Sequence, residues 1–517
     1  MRRIPLAAAL LVLTVIAGCS SSTDDAATTI TARQAAATTT TTAPTAGPPK
    51  ADAVSTPKVE GPITSGKGAV VLVPPGFDVT TVGYQQAEYF LSGDATSYTS
   101  ATPLATDGAW TVTKKDTAPY ETRIVVRRPA DAAKFNGTVY VEWLNVSGGL
   151  DASPDWSYAH NEIIRSGAAW VGVSAQKVGI DGGGIALGAK LALKVADPER
   201  YGALVHPGDA YSYDMFSQVG AAVWFQHDAV LAGLVPKRVI AVGESQSAFR
   251  LTTYVDAVAP LTSIFNGYLI HSRGDSGANL STDVPAPNPT MIRTDQHVPV
   301  LVFLTETDLI TSRLGAAEAR QDDSDFYRSW EVAGTAHADS YNLGLADNDI
   351  GDGAGDIELF NSMSTPPTAV YGGVISCQAP INTGGHSYVV RSALQALTEW
   401  VTTGTAPSAM PRLQLADDHE SYLLDANGNA LGGIRTPEVD APVAALSGIG
   451  QDGNGFCGLF GTTKPLDAAA VKALYPDHAT FVSKWNAAVD SAVAAHAVLP
   501  SDAEHLKAAA AASTIGQ

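Results

Sequence analysis

A mostly parallel α/β sheet flanked by helices is the architecture this sequence predicts, and three observations lead to it. Short β-rich runs recur along the chain, most of them are apolar at consecutive positions, as strands covered on both faces are, and helical stretches lie between several of them. The runs are residues 123–128, 138–143, 168–174, 238–242, 263–270, 299–304 and 327–332, with helical stretches at 211–231, 248–258 and 389–401. No internal repeat interrupts the alternation. In sheets of this kind ligands gather at the carboxyl ends of the strands, so the loop after each strand is where function is sought.

Composition supports a large buried core. Of 517 residues, 45% are hydrophobic and 16% charged, which excludes a wholly disordered protein, while 3 Cys exclude a miniprotein built on disulfides. Asp and Glu outnumber Lys and Arg by 52 to 32, and a formal charge of −20 argues against nucleic acid as a partner. No His/Cys cluster suggests zinc and no Gly-rich phosphate loop follows a strand, so neither a metal nor an organic cofactor is expected. Asp347, Asp349 and Glu358 fall at positions 1, 3 and 12 of a calcium-type loop, but Asp352 stands where the glycine belongs, and the segment reads as a solvated acidic loop.

The N-terminus reads as an address. Arg2 and Arg3 precede an apolar run from Ile4 to Ile16 that is shorter than the roughly 20 residues a spanning helix needs, and Ala17-Gly18-Cys19 follows. This resembles the signal and lipobox of bacterial lipoproteins, which implies removal of residues 1–18 and lipidation of Cys19. A diacylated cysteine would anchor the chain stably at the extracytoplasmic face of the cell membrane, and because the protein is acidic the acyl chains, not surface charge, would hold it there. Residues 19–58 are rich in Thr, Ala and Pro and read as a flexible tether. The folded domain is expected over 59–517.

The chemistry lies at three strand ends. The run 238–242 leads directly into Gly243-Glu244-Ser245-Gln246-Ser247 and a helix, the layout of a nucleophile elbow, where residues two before and two after the serine must be small. The run 299–304 ends in Thr305-Glu306-Thr307-Asp308, and 327–332 ends in Ala333-Gly334-Thr335-Ala336-His337. Serine, acid and histidine thus follow the chain order of α/β-hydrolases. A base must take the serine proton and an acid must orient and stabilise that base. Ser245 is therefore read as nucleophile, His337 as base and Asp308, on spacing, as acid, with Glu306 as the alternative acid and His386, in Gly384-Gly385-His386, as the alternative base. His160, His206, His227 and His271 are expected to be structural. Stabilising an oxyanion needs two donors: the backbone N–H of Gln246, and one from Ser147 or Gly148 in the loop after 138–143.

At these residues the sequence resembles a bacterial family of exported α/β-hydrolase-domain proteins. The likeness is carried by Phe135-Asn-Gly-Thr-Val-Tyr-Val-Glu-Trp-Leu-Asn-Val-Ser147, Asp197-Pro-Glu-Arg-Tyr201, His206-Pro-Gly-Asp-Ala-Tyr-Ser-Tyr-Asp214, the elbow itself and Ala333-Gly-Thr-Ala-His-Ala-Asp339, and it spans about 59–499. It implies an α/β-hydrolase fold and esterase activity on a small-molecule, lipid or glycan ester, without fixing the substrate. A shorter likeness at 394–407 to tannase or feruloyl esterase-like hydrolases points to aromatic esters as an alternative, and a non-catalytic binding lipoprotein on the same fold is the competing class.

Such a core needs only about 250 residues. The surplus at 59–120, 340–385 and 406–517 is expected to form a cap or flanking subdomain. Cys377 and Cys457 both lie in this surplus and, in an oxidising compartment, are expected to pair.

Overall fold

The computed structural model describes residues 47–73, 76–183, 190–451 and 455–517. Residues 1–46, which hold the expected signal segment, Cys19 and most of the expected tether, lie outside the described residues. Among the described residues no helix is long and apolar enough to cross a membrane.

Among the described residues nine strands make one sheet: β1 (Lys58–Glu60), β2 (Tyr84–Thr99), β3 (Thr113–Pro129), β4 (Thr138–Trp143), β5 (Ala169–Val173), β6 (Arg238–Glu244), β7 (Gly267–His271), β8 (Val300–Thr305) and β9 (Tyr327–Val332), in the order β1-β2-β3-β5-β4-β6-β7-β8-β9. From β5 to β9 every neighbouring pair is parallel, and β1, β2 and β3 add an antiparallel edge. The carboxyl ends of β4, β6, β7, β8 and β9 therefore lie side by side, which gathers the loops carrying the expected chemistry.

Successive residues of the strands feed two separate cores, the physical reason for their continuous apolar runs. On one face Val139, Val141, Val239, Ala241, Ile270 and Val302 pack with Phe216, Val219 and Val223. On the other, Tyr140, Ile240, Val242, Leu269, Phe303 and Trp330 pack under Trp156, Leu394, Leu397 and Trp400. The helices involved are α1 (Pro154–Ser166), α2 (Ser212–Phe225), α3 (Gln246–Thr253), α4 (Ala354–Ser362), α5 (His386–Thr403), α6 (His478–Ala494) and α7 (Pro500–Ala512).

Several boundaries differ from the sequence reading. The helix expected over 211–231 breaks at Gln226, and the strand expected from 263 begins at Gly267, because Ser263 takes a left-handed conformation (φ 47°) that ends a preceding helical turn. The described part of the tether, 47–57, is docked: Val54 is buried, Asn266 Nδ2 donates to Gly47 O at 3.1 Å and Gln226 Nε2 to Pro57 O at 2.9 Å. The segment 59–120, expected as part of a cap or flanking subdomain, instead supplies β2 and the first half of β3. These strands read poorly because an antiparallel edge exposed on one side mixes Thr, Tyr, Ser and charged residues instead of carrying an apolar run.

The C-terminal surplus divides. Phe481, Trp485 and Leu506 of α6 and α7 form an outer layer on the α1/α5 side of the sheet, whereas Ile434 pairs along the edge of β9, its N–H on Glu331 O at 2.7 Å. The segment around Cys457 covers the loop after β9, where Ala338 N–H donates to Leu459 O at 3.2 Å. Cys377 and Cys457 are joined in a disulfide, which ties the 340–385 insertion to this segment.

Candidate active site

The turn from β6 into α3 places Ser245 at φ 59°, ψ −121°, a conformation that side chains other than glycine rarely adopt. Its backbone N–H donates to His271 O at the end of β7, 2.9 Å away. A Cβ on Gly243 would stand 3.0 Å from Leu251 Cδ1 and 3.1 Å from Ser247 Cβ, so the residues two before and two after the serine are small because strand and helix pass in contact there.

Two later strand ends complete the constellation. Ser245 Oγ lies 2.7 Å from His337 Nε2, and His337 Nδ1 lies 2.7 Å from Asp308 Oδ1. Asp308 is held in turn by Thr305, whose backbone N–H and hydroxyl donate to Oδ2 at 2.7 and 2.9 Å. Thr307 Oγ1 accepts the N–H of His337 at 3.1 Å, tying the acid loop to the histidine loop. This geometry can do the chemistry of an acyl transfer: Oγ aimed at a ring nitrogen, and the opposite ring nitrogen held by a buried carboxylate that favours the imidazolium.

The two alternatives have other positions. Glu306 does not reach His337; its Oε1 accepts from Gly334 N–H at 2.6 Å and its Oε2 from Gly448 N–H at 2.8 Å and Ser447 Oγ at 3.3 Å. Burial pushes its carboxyl up to about 7, against these donated hydrogen bonds, which favour the anion. It clamps the C-terminal surplus onto the acid loop, and the fit is close: a Cβ on Gly448 would stand 2.5 Å from Glu306 Cβ. His386 is wholly buried beneath the elbow, stacked on Phe303 with ring planes 8° apart, and it meets His271, not Ser245.

Of the expected oxyanion donors, the Gln246 N–H at the start of α3 donates to no group among the described residues, and the same holds for Gly148 N–H. The N–H of Ser147 is already committed to Asn145 Oδ1 at 2.8 Å, an Asx turn that removes it from the pair of candidates. Val146 N–H, which the sequence reading passed over, has no partner among the described residues either. Asn145 itself reaches the elbow, with Nδ2 3.2 Å from Glu244 O.

Glu244 was not singled out as a site residue by sequence. Its Oε1 lies 3.3 Å from His337 Nε2, the nitrogen that faces the serine. Burial pushes its carboxyl up to about 7. Burial alone would depress the imidazole of His337, but the neighbouring carboxylates of Glu244 and Asp308 outweigh it and hold the group above its ordinary value. The signal available was the acidic residue directly before the serine, in a strand otherwise apolar up to Gly243.

The remaining motifs are scaffolding. Asp214 accepts from Thr96 N–H and Gln218 Nε2, Asp209 pairs with Arg250 at 2.9 Å, and His160 and His206 hydrogen-bond to carbonyls of Asp349 and Ala175. Among the described residues no group of three or more His, Cys, Asp and Glu is arranged to hold a metal ion.

Comparison with known proteins places the chain in a family. The chain is similar to solved structures of a glucuronoyl esterase from Solibacter usitatus (12% identity, 53% of this chain and 80% of that one, TM-score 0.27), a carboxylesterase from Lactobacillus plantarum WCFS1 (14%, 42% and 72%, 0.22) and a fungal esterase from Rhizomucor miehei (11%, 47% and 74%, 0.23). No curated protein matches the chain. A family model described as an alpha/beta hydrolase domain matches residues 59–508, nearly the whole folded region including the elbow, the acid loop and the histidine loop, and the chain belongs to that family.

Proposed function

We propose that this protein is a serine hydrolase that cleaves carboxylic esters through an acyl-enzyme on Ser245. The observation that carries this reading is the continuous chain from Ser245 Oγ through His337 to Asp308, 2.7 Å at each step, on an elbow that holds the serine at positive φ. In the first half-reaction His337 takes the Oγ proton as Oγ attacks the ester carbonyl, Asp308 and Glu244 stabilise the imidazolium, and the proton passes to the leaving alcohol. In the second, water loses a proton to His337 as it attacks the acyl carbon, and His337 returns that proton to Ser245 Oγ as the C–Oγ bond breaks and the acid leaves. The N–H groups of Gln246 and Gly148 supply the oxyanion donors in this reading. The signal segment and Cys19 support a site of action at the outer face of a membrane, with the chain held by acyl chains.

The reading is tested with p-nitrophenyl esters of increasing acyl length and one matched anilide. Hydrolysis of the esters, abolished by Ser245→Ala, supports it. Cleavage of the anilide as fast as the ester would replace the esterase reading with an amidase one, and no turnover of any substrate by folded protein would favour the binding lipoprotein.

A further inference from the structure

Beneath the Ser245 elbow runs a second, enclosed chain of side chains that the acyl-transfer chemistry does not use. Asp155 Oδ1 meets His271 Nδ1 at 2.8 Å, His271 Nε2 meets His386 Nε2 at 2.8 Å, and His386 Nδ1 meets the carbonyl oxygen of Ala336 at 3.1 Å. None of the three side chains' residues is more than 1% exposed. The chain touches the reacting frame at two points: the carbonyl of His271 accepts the N–H of Ser245, and Ala336 directly precedes His337.

Counting hydrogens constrains its state. A backbone carbonyl only accepts, so His386 Nδ1 must carry hydrogen, and each of the two remaining junctions needs one hydrogen between its facing atoms. Three junctions therefore need three hydrogens. A carboxylate and two neutral imidazoles together carry two, so that state leaves two acceptors facing each other at one junction, and among the described residues the ring nitrogens of His271 and His386 have no other hydrogen-bond partner. The chain is satisfied only when it holds one further proton.

The surroundings place that proton on the carboxyl. Asp155 Oδ2 is buried and accepts from nothing among the described residues, as suits the carbonyl oxygen of a neutral acid. Asp155 stands in the first turn of α1, where an anion is normally favoured, but the free N–H groups of Asp155 and Trp156 donate to Glu142 Oε1 and Oε2, each at 3.0 Å, and Trp170 Nε1 adds a third donor at 2.7 Å. Burial and the neighbouring Asp155 push the Glu142 carboxyl up as well, but these three donors favour its anion, whereas Asp155 Oδ2 has none. Burial pushes the Asp155 carboxyl up to about 8 and His271 down to about 4, both toward the uncharged pair. The charged and titratable groups facing the chain are Glu142 from β4, Tyr158 from α1, stacked on His386 with ring centroids 4.0 Å apart and kept neutral by burial, Glu244 from β6, Asp308 from the loop after β8 and His337 from the loop after β9.

We propose that Asp155, His271 and His386 are positioning residues, a relay whose third proton holds the backbone at Ser245 and at His337 in register and whose deprotonation loosens both. Its kinetic consequence rests on the reading of Ser245 and His337 as the reacting pair, whereas the proton count does not.

Two measurements on the full chain test it. In protein labelled with 15N-histidine, His386 is expected as the Nδ1–H tautomer and His271 as Nε2–H at neutral pH, each identified by the signal lost in His386→Asn or His271→Asn; an Nε2–H tautomer at His386 overturns the relay. In hydrolysis of p-nitrophenyl acetate, Asp155→Ala is expected to lower kcat about tenfold with KM little changed. Asp155→Asn, whose amide donates permanently to His271 Nδ1, is expected to restore most of that loss and to remove the decline of kcat at alkaline pH. An Asn variant as impaired as the Ala variant, or one that keeps the alkaline decline, overturns the proposal. If Asp155→Ala does not fold, the native and Asn pH profiles decide alone. If the native chain leaves p-nitrophenyl acetate untouched, the esterase reading fails while the tautomer spectrum still judges the relay.

Discussion

Glu244 and His337 face each other across 3.3 Å, and the ring nitrogen of His337 that meets the Glu244 carboxyl is the same one that lies 2.7 Å from Ser245 Oγ. The imidazole is thus flanked by carboxylates at both nitrogens, Asp308 on one and Glu244 on the other. His337 works as a base only when neutral, so activity rises as pH passes upward through its pKa, and a second carboxylate shifts that rise to higher pH. Because Glu244 is itself pushed up to about 7, the pair titrates together. The expected outcome for Glu244→Gln is an acid limb of kcat/KM displaced toward lower pH. A profile unchanged by the substitution would show that Glu244 has no electrostatic hold on the base.

Asp308 and Glu306 separate by role. Asp308→Asn keeps the shape but leaves the imidazole in the wrong tautomer, and kcat is expected to fall by about 10⁴. Glu306→Gln turns an amide donor toward donors it now accepts from, Gly334 N–H or Gly448 N–H, and should cost about 1–3 kcal/mol of stability without a comparable loss of kcat in the folded protein. Steady-state kinetics and thermal unfolding on both variants check the assignment, and the reverse pattern would make Glu306 the acid.

Packing at the elbow leaves little room. Gly243→Ala is expected to destabilise by about 1–3 kcal/mol, because the new methyl meets Leu251 Cδ1 and Ser247 Cβ at 3.0 and 3.1 Å. Chemical denaturation measures the change, and a neutral result would mean that the strand and helix can separate at no cost.

The disulfide closes 80 residues of sequence between the insertion and the segment covering the His337 loop. Replacing both cysteines by serine is expected to cost about 2–4 kcal/mol. Unfolding midpoints with and without reductant report the change. Equal midpoints for the native and doubly substituted protein would place the bond outside the stability of the fold.

How much of this was legible in the sequence depended on how local the determinant is. The six parallel strands read through because each is covered on both faces and most of them therefore carry a largely apolar run, and the elbow read through because sterics fix three small or special residues within five positions. The strand Tyr84–Thr99 did not, since its main partner is β3 across a long hairpin and one of its faces is partly exposed. Spacing favoured Asp308 over Glu306 without removing the alternative: which one reaches His337 depends on Thr305 holding Asp308 Oδ2 and on Gly448, 142 residues beyond Glu306, taking Glu306 away. Ser147 was lost as an oxyanion donor through a side chain two residues earlier, Asn145, whose direction the sequence does not specify. His271 and His386 looked like unrelated histidines because 115 residues separate them, and only the adjacency of β7 to the start of α5 joins them.

The central claim, that Ser245 is an activated nucleophile, is tested most directly by treating the folded protein with a fluorophosphonate and measuring its intact mass. The account predicts a single covalent adduct, mapped by peptide analysis to Ser245, absent from Ser245→Ala and greatly slowed in Asp308→Asn. A native protein that stays unlabelled while folded, or an adduct that persists in Ser245→Ala, would contradict it.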